Sequence, residues 1–180
     1  MTDKLICPHA TVSYWVKFAP GFEFALGGKL PGLIGGHKEG QPHWPIGGGI
    51  HPNGENGWSA RVMWVEEGKL VQCVYHMDQK GKYGDMLSWQ VDGQAVRVRT
   101  GVWHHLISEV TVNEPGQANG RIRSWFDGQL AFDANGLRFR SVPTLNVSGV
   151  YFSTFFGGED PDWVAKRDEW IRFDDFRVTE

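Results

Sequence analysis

Lys29, Ser59, Arg61 and Tyr75 are the residues of this chain whose types and spacing suit one reaction. Lys29 stands in "GGKLPGLIGG", residues 27–36, where five glycines surround a single cation. Ser59 and Arg61 lie two apart in "GWSARVMW", so they share one face of an extended strand. Cys73, Tyr75 and Met77 share a face in "VQCVYHM" by the same parity. The short connection "EEGK" makes these two stretches expected antiparallel neighbours. The expected result is a surface that gathers Lys29, Ser59, Arg61 and Tyr75 without an obvious carboxylate.

Such a surface suits an acidic sugar polymer. Each unit of a polyuronate carries a carboxylate, and the adjacent proton at C5 can be removed while the C4 oxygen is expelled. Charge that builds on the carboxylate needs a cation or hydrogen-bond donors. The planar fork of Arg61 matches a carboxylate. A base must take the C5 proton, and an acid must protonate the leaving oxygen. Tyr75 can serve if its phenol, at about 10 in water, is lowered, and nearby Arg and Lys charges are expected to lower it. Hydrolysis would use two carboxyl groups across the scissile bond, and no single strand shows a tight cluster of them. The elimination needs no cofactor, and no standard metal-ligand spacing is present.

The elements that must position these residues read as strands. Trp58, Ala60, Val62 and Trp64 alternate with Ser59, Arg61 and Met63, which makes the two tryptophans expected core. "QAVRVRT" sets Val96 and Val98 opposite Arg97 and Arg99, and those two arginines could extend a subsite for an acidic polymer. "RIRSWFDGQLAFD" reads as a hairpin turning at Asp127-Gly128. "SGVYFSTFF" and "EWIRFDDFRV" read as further strands, and "PDWVAKRDEWI" (161–171) is the best short helix candidate. Residues 37–57 form a long loop rich in Gly, Pro and His. Short strands at this spacing indicate an all-β sandwich of two antiparallel sheets.

Length and charge bound the rest. A chain of 180 residues is read as one domain spanning 1–180. A net charge of −3 without a basic block argues against nucleic acid, and no apolar run is long enough for a membrane span. The beginning, "MTDKLICPHA", has no export-signal pattern, which leaves localisation open. Two cysteines, Cys7 and Cys73, make no disulfide framework.

Taken together, "GFEFALGGKLPGLIGG", "GWSARVMW", "VYHM" and the later segments "WHHLISEVTVNEPGQANGRIRSWFDGQL" and "VYFSTFFGGEDPDW" resemble the alginate and glucuronan lyases of polysaccharide lyase family 14. The resemblance runs from about Tyr14 to Val178. It implies a β-jelly roll whose concave face binds a polyuronate and cleaves it by β-elimination. It implies that Lys29 is catalytic or substrate-binding, and that Ser59 and Arg61 line the cleft. It also implies a Tyr-x-Tyr pair on the next strand, where this chain has Cys73-Val74-Tyr75. His76, Tyr83 and His37 are the residues that could stand in for the missing phenol, with His76 on the opposite face by strict alternation.

The expected catalytic set is therefore Lys29, Arg61 and Tyr75, with Ser59, Cys73, His76, His37, Arg97 and Arg99 as expected substrate contacts. A second departure is the short run of chain before the first shared strand. It leads to the expectation of an exposed sheet edge, covered by a partner chain or oligomer. The rival readings are a glycan-binding module that does not cut, and a structural or assembly protein.

Overall fold

The structure is a computed structural model that describes residues 6–36, 46–158 and 160–180. Among the described residues thirteen strands follow one another. They are β1 (His9–Phe18), β2 (Gly27–Gly35), β3 (Trp58–Val65), β4 (Leu70–Tyr75), β5 (Asp85–Ser88), β6 (Gln90–Val91) and β7 (Gln94–Ala95). Then come β8 (Trp103–Thr111), β9 (Gly120–Phe126), β10 (Gln129–Leu137), β11 (Gly149–Tyr151), β12 (Phe155–Phe156) and β13 (Ile171–Thr179). One sheet runs β10-β9-β8-β1-β13, and the other runs β11-β2-β3-β4-β5 with β12 also paired to β2. All pairings between these strands are antiparallel. The fold is the expected all-β jelly-roll sandwich.

Alternation decides which side chains fill the space between the sheets. Ala10, Val12, Tyr14, Val16 and Phe18 of β1 are buried there, as are Trp58, Ala60, Val62 and Trp64 of β3. The Asp127-Gly128 turn joins β9 and β10 as the sequence predicts. Inside the sandwich, the Gln72 side-chain oxygen accepts from Trp89 Nε1 at 3.3 Å and from Ser124 Oγ at 3.2 Å. That link ties β4 of one sheet to β9 of the other.

The glycine-rich stretch is a central strand, which answers what its small residues are for. Lys29 pairs with Met63 but Gly32 pairs with Arg61, so β2 carries one extra residue at a bulge. The bulge lets both Leu30 and Leu33, three residues apart, point into the core while Lys29 faces the other way. It also accommodates Pro31, which cannot donate to a regular ladder. The Pro31 carbonyl accepts a hydrogen bond from the Tyr14 hydroxyl at 3.0 Å.

The structure gives two sequence expectations about elements their definite form. Only Pro161–Trp163 of the 161–171 segment is helical, as a single 3-10 turn capped by the Asp160 carboxylate. The alternation there never offers an apolar stripe for a core to hold, so the chain runs on irregularly to β13. The first strand, β1, is interior, flanked by β8 and β13. The edges of its sheet are β10 and β13 instead.

Candidate active site

On the face of β2, β3 and β4 turned away from the core, the residues opposite the buried tryptophans line a cleft of about 540 Å³. Lys29, Arg61 and Tyr75 all line it. Strand register explains why. Arg61 sits opposite Cys73, and Ser59 sits opposite Tyr75, so Arg61 and Tyr75 are diagonal neighbours on adjacent strands. Lys29 arrives from β2 beside Met63. Tyr83, Met86, Phe155, Asp160 and Trp163 complete most of the wall.

Arg61 is 4% exposed, and its Nε has no hydrogen-bond partner. Among the described residues no carboxylate pairs with it; its guanidinium lies over the Tyr151 ring, 5.1 Å from the centroid. Arg140, equally buried, shows the contrast. Its Nε donates to the Asn113 carbonyl at 2.7 Å, and its Nη1 donates to the Pro143 carbonyl at 3.1 Å. One buried arginine is knitted into the fold, and the other faces the cleft with charge uncompensated. Burying an unpaired charge is expensive, so Arg61 is the natural seat of an anion.

Lys29 is 8% exposed and donates to two sulfurs, Met63 Sδ at 2.5 Å and Cys73 Sγ at 2.9 Å. Burial pushes its ammonium below the usual lysine range; Cys73 pulls it back, and the Arg61 charge adds to the lowering. Cys73 is fully buried beneath the amine and donates to the Tyr83 carbonyl at 3.7 Å. It contributes a floor rather than a reaching side chain.

The Tyr75 phenol corrects an expectation. Nearby cations were expected to lower it, but burial dominates and pushes it up. The backbone N–H groups of Gly49 and Gly48 and the Arg61 charge oppose that rise without reversing it. Gly48 and Gly49 both have positive φ, 61° and 84°, which brings their amides to the phenol.

The remaining expected contacts are placed differently. Ser59 is fully buried, and its Oγ donates to the Ile46 carbonyl at 2.6 Å, so it anchors the loop that carries Gly48 and Gly49. His76 is absent from the lining and pairs with Asp85 at 3.0 Å. Arg97 is exposed and pairs with Glu67 at 2.6 Å, and Arg99 also lies outside the lining. Val96 and Val98 are core residues at the end of the sandwich, which carries their arginine neighbours away from the cleft. His37 lies outside the described residues.

Tyr151, Met63, Met86, Phe155, Asp160 and Trp163 were not anticipated. Met63 shares parity with Arg61 and could have been found that way. Tyr151 and Phe155 reach the site because β11 and β12 pair with β2, more than a hundred residues earlier in the chain. No local pattern reports such a pairing.

A two-sheet jelly roll with a cation-bearing cleft is an architecture that polysaccharide lyases share with other carbohydrate-binding proteins. The polysaccharide lyase 14 family model matches residues 3–176, and the chain belongs to that family. Among solved structures, it is similar to the marine PL-14 alginate lyase from Aplysia kurodai, with 29% identity and a TM-score of 0.80 over 96% of this chain and 69% of that one. It is similar to a variant of alginate lyase Aly36B in complex with alginate tetrasaccharide, with 25% identity and a TM-score of 0.79 over 95% of this chain and 69% of that one. The alginate lyase vAL-1 from Chlorella virus shares the fold at 24% identity and a TM-score of 0.77, over 96% of this chain and 71% of that one. No curated protein sequence matches the chain.

Proposed function

We propose that this chain cleaves an acidic polyuronate of the alginate type by β-elimination in the β2–β3–β4 cleft. The observation that carries the proposal is Arg61, buried in the cleft wall with no carboxylate paired to it among the described residues. A uronate carboxylate would pair with its planar fork, and the same contact would strengthen as charge builds during C5 deprotonation. The alginate lyases it is similar to, one of them with bound alginate tetrasaccharide, support that substrate class.

The environments of Lys29 and Tyr75 divide the proton work. A lowered amine is a base, and a raised phenol is an acid, and groups pushed apart in this way mark the two roles. Lys29 Nζ takes the C5 proton, the C4–O bond breaks, and Tyr75 gives its proton to the departing oxygen. Lys29 then loses a proton to solvent and the Tyr75 phenolate regains one. Stacking along Trp163 and Phe155 would hold the apolar faces of neighbouring sugar rings. Asp160 is the one carboxylate lining the cleft among the described residues, whereas a hydrolase generally uses two carboxyl groups.

The test is ultraviolet absorbance of the unsaturated product, with polymannuronate, polyguluronate and glucuronan as substrates. A rise with at least one is expected; no rise with any, across neutral and alkaline pH, overturns the proposal. The Cys73 floor favours one second reading, a module that holds polyuronate without cutting. Retention on a polyuronate gel with no product would establish it.

A further inference from the structure

We propose a second sugar-binding site, for a neutral hexopyranose chain, on the outer face of the five-stranded sheet. It lies on the opposite side of the sandwich from the cleft and does not depend on the reading of that cleft. Trp15, Trp103, Asp174 and Asp175 line a slot of about 540 Å³ there. Trp15 is 38% exposed and Trp103 is 39% exposed. Two large indoles left in water on one patch need a reason, since single exposed apolar residues are ordinary but paired ones are not.

Register builds the slot. Trp15 of β1 sits opposite His105 of β8, and Trp103 lies two residues before His105, so the indoles are diagonal neighbours. Trp15 stacks on His105 at 4.8 Å and 18°, which fixes the indole orientation and leaves its other face towards β13. On β13 a bulge intervenes. Ser13 pairs with Arg177 and Trp15 with Asp174, so three steps on β13 answer two on β1. Asp175 takes φ 49° at that bulge. The bulge breaks strict alternation and turns two consecutive carboxylates to one slot, a re-aiming that bulges at sheet edges commonly perform.

The chemistry of the slot selects its ligand. Indole faces take the C–H faces of pyranose rings, and carboxylate oxygens accept from sugar hydroxyls. Asp175 is held by Arg177 through Nε and Nη2, both at 3.0 Å. Asp174 Oδ1 accepts from the Asp175 backbone N–H at 2.8 Å, which orients the carboxylate and leaves Oδ2 for a hydroxyl. Arg177 is taken up by Asp175, and among the described residues the slot lining itself holds no cation for a uronate carboxylate, so the slot favours a neutral chain. A neutral hexopyranose chain is the fitting occupant.

The test is native affinity electrophoresis of the full chain in gels carrying hydroxyethylcellulose, galactomannan or a soluble mixed-linkage glucan. Retardation is expected in at least one. A Trp15→Ala/Trp103→Ala double variant should weaken the apparent Kd about tenfold or more. Asp174→Asn, which keeps the shape, should weaken it less. Both variants should release unsaturated product from soluble polyuronate at the wild-type rate. No retardation in any of the three gels overturns the proposal, as does retardation that both variants retain. Retention only on a polymer bearing quaternary ammonium groups would assign the slot to cations and equally overturn it.

Discussion

Lys29 Nζ lies 2.9 Å from Cys73 Sγ, across the face of β3, and the amine meets sulfur there rather than a carboxylate. A carboxylate would hold the ammonium charged. The sulfur pair of Cys73 and Met63 lets burial set the proton instead. The first prediction follows from the signs. Activity should rise with pH as Lys29 loses its proton, on a limb below the ordinary lysine value of 10.5. It should fall only above the ordinary tyrosine value of 10.0, because Tyr75 must stay protonated. Cys73 opposes the lowering of Lys29, so Cys73→Ala should move the rising limb to lower pH. A pH–rate profile with kcat measured at each point checks this, and a limb that does not move removes Lys29 as the base.

Arg61 should show a trade between stability and activity. Arg61→Lys keeps the charge but loses the fork, and kcat/KM on polyuronate should drop about 10²–10³-fold. Arg61→Met relieves a buried unpaired charge and should raise stability by about 1 kcal/mol or more while abolishing turnover. Thermal unfolding and initial rates measured on the same preparations decide the matter.

Asp160 lines the cleft, where it would meet an anionic polymer as a like charge. Asp160→Asn should lower KM, by up to about fivefold at low ionic strength, with the gain fading as salt is added. A KM that is unchanged at every salt concentration would place the polymer away from Asp160.

Gly28 lies where the Trp64 ring crosses β2. A Cβ there would fall 2.0 Å from Trp64 Cζ2 and 2.4 Å from the Phe155 carbonyl oxygen. Gly28→Ala should destabilise the fold by about 1–3 kcal/mol through overpacking. It should also loosen β12, and with it the Phe155 wall of the cleft. Denaturant midpoints report the first effect and KM the second.

What the sequence made legible follows strand parity. Trp58 and Trp64 alternate with Arg61 on one strand, so core and cleft could be read from the same eight residues. Arg61 and Tyr75 converge because parity and a short β3–β4 connection demand it, and Lys29 joins them through the bulged pairing of β2 with β3. Parity fails where pairing is distant. Tyr151 lies under Arg61 only because β11 pairs with β2, and Trp163 arrives on an irregular segment. Burial was hidden too. Ser59 looked free by type but is sealed under the Ile46 loop, and Tyr75 titrates upward because its desolvation outweighs the charges beside it. Arg97 shows the reverse case, a cation whose core neighbours Val96 and Val98 leave it outside the cleft lining and paired with Glu67.

The central claim is that Arg61 grips a uronate carboxylate while the C5 proton leaves, so the bond breaks without water. The direct measurement is mass spectrometry of the oligomers released from polyuronate. Elimination predicts a new non-reducing end that is unsaturated and one water lighter than a hydrolysed end, and Arg61→Met should release none of it. A saturated non-reducing end of full mass would mean hydrolysis and would contradict the account.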